Sequence, residues 1–202
     1  SNPAQASEEA GELLKGKNKK NVDLVTSVAH VYLDAGKITE AQEYLAMAKK
    51  ANNKDPKVSV LEGDIALAQK NIGQACQLYE QAIYFDPNCK EAYLKYAQAY
   101  KSASPTQAIE KLEQLKAVDP NCLEADRELA EVYYSGNRFG KAAEMYAKFI
   151  DTPLATEDDM LKYAFALFLN HDFEKSLQVA QKGLQKNARH AAFNRLVMYN
   201  NT

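Results

Sequence analysis

Tryptophan is missing from this chain, cysteine is nearly so, and neither sign of charge prevails. Lysine and arginine number 25 against 27 acidic residues, a net charge of −2. There is therefore no basic field of the kind that drives binding to a phosphate backbone, and a nucleic-acid partner is excluded on that ground. No apolar run approaches the roughly 20 residues needed to span a bilayer, and nothing at the start reads as a signal peptide. The expectation is a soluble segment without membrane insertion, in an exported or a cytoplasmic setting. The chain also lacks a phosphate-binding glycine loop, a Gly-x-Ser-x-Gly elbow and a Cys-x-x-Cys pair. His30, His171 and His190 lie far apart with no cysteine or carboxylate at metal-ligand spacing. Paired acids such as Asp158 and Asp159 sit where a helix begins and complement its dipole. Neither catalysis nor a cofactor or metal is expected.

Small residues, in contrast, recur with a period of about 34. One series runs Ala29, Gly63, Ala97, Ala130, Ala164, and a second runs Ala41, Ala75, Ala108, Ala142, Ser176. The two stay 11 or 12 residues apart, the distance that carries one close helix–helix contact around a tight turn. A third series follows each second helix, with Pro87, Pro120 and Pro153 beside Asp86, Asp119 and Thr152, where proline closes a helix. No linker, low-complexity run or change of composition divides 21 from 190, which reads as one cooperative array of helical hairpins. Cys89 and Cys122 share one loop slot in successive Asp-Pro-Asn-Cys segments. Equivalent positions of stacked repeats stand beyond the roughly 7 Å that a disulfide spans, so thiols are expected. Cys76 reads as a small packed residue.

At these residues the chain resembles the tetratricopeptide repeat family. With Val22 in the first slot, the repeats read 22–55, 56–89, 90–122, 123–156 and 157–190. Tyr32, Ala66, Tyr100, Tyr133 and Leu167 stand near the ends of first helices, and Leu45, Tyr79, Leu112, Tyr146 and Ala180 midway along second ones. The departures are the missing tryptophan, a proline displaced from Asn53 to Pro56 and absent near Ala188, and Leu115 and Phe149 in a slot that is usually small. The resemblance implies an all-α fold, a right-handed superhelix (α-solenoid) of helical hairpins. Within the turns, Gly36 and Gly136 are expected to supply positive φ. The shorter third turn offers Ser104 as N-cap, Pro105 at the first helical position and Gln107 for a capping box. Both ends read as cuts through a repeat. Residues 4–16 fit an orphan second helix or a cap, so that 1–21 precede the array. Residues 191–202 fit the first helix of a truncated sixth repeat or a C-terminal cap, whose stripe of Phe193, Leu196 and Val197 is open to self-association.

The resemblance further implies a non-enzymatic interaction scaffold whose first helices line a concave groove for an unknown protein or peptide. That face reads Thr26, His30, Leu33; Val60, Asp64, Leu67; Leu94, Gln98, Lys101; Arg127, Glu131, Tyr134; Leu161, Phe165, Phe168. From Tyr134 onward it turns aromatic and continues into Arg195 and Tyr199. An arginine-edged aromatic surface suits an apolar anchor, so Arg127, Tyr134, Leu161, Phe165, Phe168, Arg195 and Tyr199 are the expected peptide contacts, with packing on the next repeat as the alternative for Tyr134 and Phe168. Some family members clamp a chaperone's C-terminal carboxylate with two Lys, two Asn and an Arg. Here those slots hold Thr26, His30, Leu61, Glu91 and Lys95, so that clamp is absent, and Glu91, Glu124, Glu131 and Asp158 are expected to repel a carboxylate. The rival readings are a structural or oligomerising module, or the regulatory arm of a longer protein.

Overall fold

The computed structural model of the protein describes residues 12, 14, 18 and 20–200. The helix expected over 4–16 lies outside them but for Glu12 and Leu14. Eleven α-helices and no strand are found among the described residues. The chain divides into two compact units, residues 1–103 and 104–202. The first holds α1 (Val22–Asp34), α2 (Ile38–Asn52), α3 (Pro56–Ala68), α4 (Ile72–Phe85) and α5 (Lys90–Tyr100). The second holds α6 (Pro105–Val118), α7 (Leu123–Ser135), α8 (Phe139–Phe149), α9 (Glu157–Leu169), α10 (Phe173–Lys186) and α11 (Ala191–Asn200). Within each unit every helix packs on the next, and α1 on α3, α3 on α5 and α9 on α11 besides.

Local chemistry starts these helices where they start. Asn21 accepts from the Leu24 N–H at 3.2 Å, and Asp55 from the Lys57 N–H at 3.0 Å with Pro56 in the first helical position. Thr156 and Asp159 close a reciprocal capping box at the head of α9. Four of the turns between paired helices pass through one left-handed residue each, at Gly36, Lys70, Asn137 and His171, with φ of 74°, 63°, 57° and 63°. Two sequence expectations need correction here. Gly136 ends α7 at a φ of −87°, and its neighbour Asn137 takes the positive φ, since an asparagine side chain tolerates that region. Ser104 and Pro105 stand at the N-cap and first position of α6 as read, but Ser104 makes no side-chain cap hydrogen bond and no capping box forms.

All ten small residues of the two series are buried. Ser176 shows what the spacing serves: its hydroxyl donates to the Ala164 carbonyl at 2.9 Å, so one series touches the other directly. The layers are filled by large side chains with almost no exposure, Leu61 and Tyr79 in the first unit and Tyr146, Phe149 and Phe193 in the second. Each contributes on the order of 1.5–3 kcal/mol by burial. No disulfide joins the three cysteines, and Cys76 sits in the core beside Tyr79.

Candidate functional site

Asp64, midway along α3, collects side chains from three other helices. His30 of α1 reaches one carboxylate oxygen through Nε2 at 2.8 Å, and Lys95 of α5 reaches the same oxygen at 2.9 Å. The Tyr79 hydroxyl of α4 donates to the other oxygen at 2.8 Å. Burial pushes the Asp64 carboxyl up, but the hydrogen bonds from His30, Lys95 and Tyr79 outweigh it and hold the group below its ordinary value. The bond to Asp64 in turn lifts His30 against the cost of its own burial, and burial above all drives the Tyr79 phenol upward.

The second unit repeats this arrangement. Glu131 of α7 accepts from the Tyr146 hydroxyl at 2.7 Å and from Lys162 at 2.9 Å. The offsets are identical, the tyrosine 15 residues after the acid and the lysine 31 after it. Each lysine also faces the acid one turn before it, Glu91 at 3.7 Å from Lys95 and Asp158 at 2.8 Å from Lys162. Glu91, Glu131 and Asp158 are thus partly neutralised by lysines rather than acting as bare repelling charges. Sequence reasoning missed these networks. Their signal was present as one acid–tyrosine–lysine pattern recurring after 67 residues.

Of the expected contact residues, Arg127 forms a bidentate pair with buried Asp159, Nε to Oδ1 and Nη2 to Oδ2 both at 3.0 Å. That pair ties α7 to α9. Tyr134 lies edge-on to Phe139 at 5.7 Å and to Tyr146 at 6.5 Å, and burial raises its phenol. Leu161, Phe165 and Phe168 are half-buried against the cluster of Ile150, Met160, Phe193 and Leu196. Phe168 meets Phe173 at 5.3 Å and Tyr199 at 6.3 Å. Tyr199 and Arg195 are exposed. The fold therefore gathers Phe168 and Tyr199 at the end of the second unit, commits Arg127 to an internal ion pair, and packs Tyr134 among α7 and α8 aromatics.

On the first unit the face of the first helices holds a cavity of about 280 Å³. Its walls are Asp23, Thr26, Ser27 and His30 of α1, Lys57 and Val60 of α3, and Glu91 of α5. Thr26 and Val60 form its buried floor. Lys57 reaches Asp23 at 2.7 Å at the mouth. No helix among the described residues is long and apolar enough to cross a membrane.

A family model described as tetratricopeptide repeat matches residues 29–89 and 98–155, more than half of the chain. Among solved structures, PilW, a widely conserved type IV pilus biogenesis factor, superposes with a TM-score of 0.75 at 17% identity, over 99% of this chain and 91% of that one. PilF of Pseudomonas aeruginosa gives 0.73 at 16% identity, over 98% and 90% of the respective chains. YrrB, described as a tetratricopeptide repeat protein with an unusual peptide-binding site, gives 0.64 at 13% identity, over 94% and 97%. At these identities the likeness is one of fold. No curated protein matches the chain.

Proposed function

The chain belongs to the tetratricopeptide repeat family, and on that premise we propose that it is a non-enzymatic scaffold holding a polypeptide segment against the face of its first helices. Five repeats, 22–55, 56–89, 90–122, 123–156 and 157–190, form the array, with 1–21 and 191–202 flanking it. The observation that carries the reading is the cavity walled by α1, α3 and α5, three successive first helices. All of its walls but Val60 are polar or charged side chains, which can pair with the backbone groups of an extended peptide. In the second unit the half-buried face of Leu161, Phe165 and Phe168, with Tyr134 and Arg127 on one side and Arg195 and Tyr199 on the other, would carry apolar anchors. The peptide-binding site named for YrrB is consistent with such a use of the fold.

Panning a displayed peptide library on the whole protein tests this. Enriched peptides should lose about tenfold in affinity when Ser27→Arg fills the cavity, and more than about 1 kcal/mol when Phe165→Ala removes an anchor. Unchanged binding to both variants overturns the proposal.

One observation favours an assembly module instead. Phe173, Met198 and Tyr199 remain 45%, 67% and 57% exposed at the end of the second unit. Sedimentation across a wide concentration range separates the readings, because a dimer broken by Met198→Glu supports assembly through this end.

A further inference from the structure

The two carboxylate networks agree in their acid, tyrosine and lysine and differ in one member. Asp64 has His30 at 34 residues before it, and the corresponding position before Glu131 is Ala97. His30 is also a wall of the cavity in the first unit. Its Nδ1 stands 2.9 Å from the Thr26 carbonyl oxygen and its Nε2 stands 2.8 Å from Asp64 Oδ2. A backbone carbonyl only accepts, and a carboxylate already receiving Lys95 and Tyr79 is ionised and only accepts. Satisfying both contacts at once takes a hydrogen on each ring nitrogen, which is the imidazolium form.

We propose that His30 is a protonation latch on this cavity: charged, it ties α1 to Asp64 on α3 and holds the cavity wall, and on losing a proton to solvent it loosens that wall. The proposal rests on the reading of the first-helix face as the polypeptide-binding face and adds how that face is regulated. A neutral imidazole offers one donor for two acceptors. The tautomer protonated at Nε2 gives up the Thr26 oxygen, which lies on α1 itself, and keeps a neutral hydrogen bond to Asp64 in place of the stronger charge-assisted one, so the tie between α1 and α3 weakens. Asp64 keeps Lys95 and Tyr79, so the fold survives the change. The cavity wall is held less firmly, and a ligand then has to order part of it itself, which weakens binding.

The charged groups around the ring favour the latched state at low pH. From α3 come Asp64 and, at the mouth, Lys57; from α5 come Lys95 and Glu91; α4 acts through Tyr79 on Asp64; and α1 adds Asp23, paired with Lys57. Tyr44 of α2 and Lys37, the N-cap residue before it, face Tyr32. The Asp64 bond outweighs both burial and the Lys95 charge, so His30 titrates above its ordinary value. The latch is accordingly closed below that ordinary value and opens as pH rises through the raised one.

Nitrogen-15 NMR of the imidazole in the whole protein tests the geometry. Both nitrogens should be protonated at about pH 6, with a midpoint above the ordinary histidine value. Backbone signals of Thr26, Val60 and Lys57 should follow the same midpoint, while those of Glu131 and Lys162 stay flat. A midpoint at or below the ordinary value, or cavity signals indifferent to it, overturns the latch. A peptide selected from a displayed library at about pH 6 supplies the second readout. Its affinity should fall by about tenfold as pH rises through the midpoint and then level off, and His30→Gln, whose donor toward Asp64 does not titrate, should remove that fall. Binding that Ser27→Arg abolishes but that is indifferent to pH leaves the scaffold reading standing and removes the latch. A titration seen in both nitrogens and cavity signals, with no peptide bound, upholds the latch and removes the scaffold reading.

Discussion

A methyl group on Gly63 would stand 2.5 Å from Cε1 of Tyr79. The tyrosine ring is fully buried and held at its far end by Asp64, so it cannot yield. Gly63→Ala gains about 1 kcal/mol of helix propensity but overpacks this contact by about 1–3 kcal/mol, and a net loss of stability is expected. Gly73, with nothing within 4 Å of an added Cβ, should instead gain about 0.5–1 kcal/mol as alanine. Melting temperatures moving in the same direction for both would contradict the packing assigned here.

The tyrosine–carboxylate bond that the two networks share predicts similar costs. Tyr79→Phe and Tyr146→Phe each remove one donor from a partly or fully buried carboxylate, and each should cost about 1–2 kcal/mol in urea unfolding. Asp64→Ala should cost more, about 3 kcal/mol, because it takes the shared acceptor from His30, Tyr79 and Lys95 at once. A cost for Asp64→Ala no larger than that of Tyr79→Phe would show that the carboxylate does not anchor the group.

Stability should fall on both sides of a plateau. Asp64 titrates lower in the folded protein than in the unfolded chain, so its contribution is present above its ordinary value and is lost as pH falls through the depressed one. His30 titrates higher when folded, so its contribution is complete below the ordinary histidine value and is lost as pH rises through the raised one. Urea midpoints measured from acid to mildly alkaline pH should show the upper loss in the native protein and not in His30→Gln.

The turns make a prediction against the sequence pattern. Lys70 holds a positive φ without being glycine, and Lys70→Gly should stabilise the hairpin by up to about 1 kcal/mol. Gly36→Ala should destabilise by a similar amount, whereas Gly136→Ala, at negative φ with the Val132 carbonyl 3.4 Å from the new Cβ, should be nearly neutral. Thermal melts of the three single variants check the ordering.

Much of the fold was legible in advance because helical-repeat packing is a nearest-neighbour affair. Small residues twelve apart, such as Ala164 and Ser176, must meet when a short turn folds one helix back on another, whatever the rest of the chain does. Helix caps also act on their own backbone, yet the sequence reading named Ser104, which makes no cap hydrogen bond, and passed over Asn21, Asp55 and Thr156, which do. The turns were legible only to within a residue: a glycine at 136 drew attention from Asn137, and the phase of the turn depends on where α7 ends.

The period, the all-α class and the family were therefore determined by the amino-acid sequence itself. Tertiary structure alone decided what each polar side chain does. Arg127 looked like a ligand contact on its own helix, but Asp159, 32 residues later, lies within reach of its guanidinium. Asp64 looked like one polar residue on an open face and is instead the shared acceptor of three helices. The physical reason is reach. Backbone periodicity sets which helices are neighbours, whereas a hydrogen bond near 2.8 Å depends on the rotation and depth of each helix in its layer, which only the packed core settles.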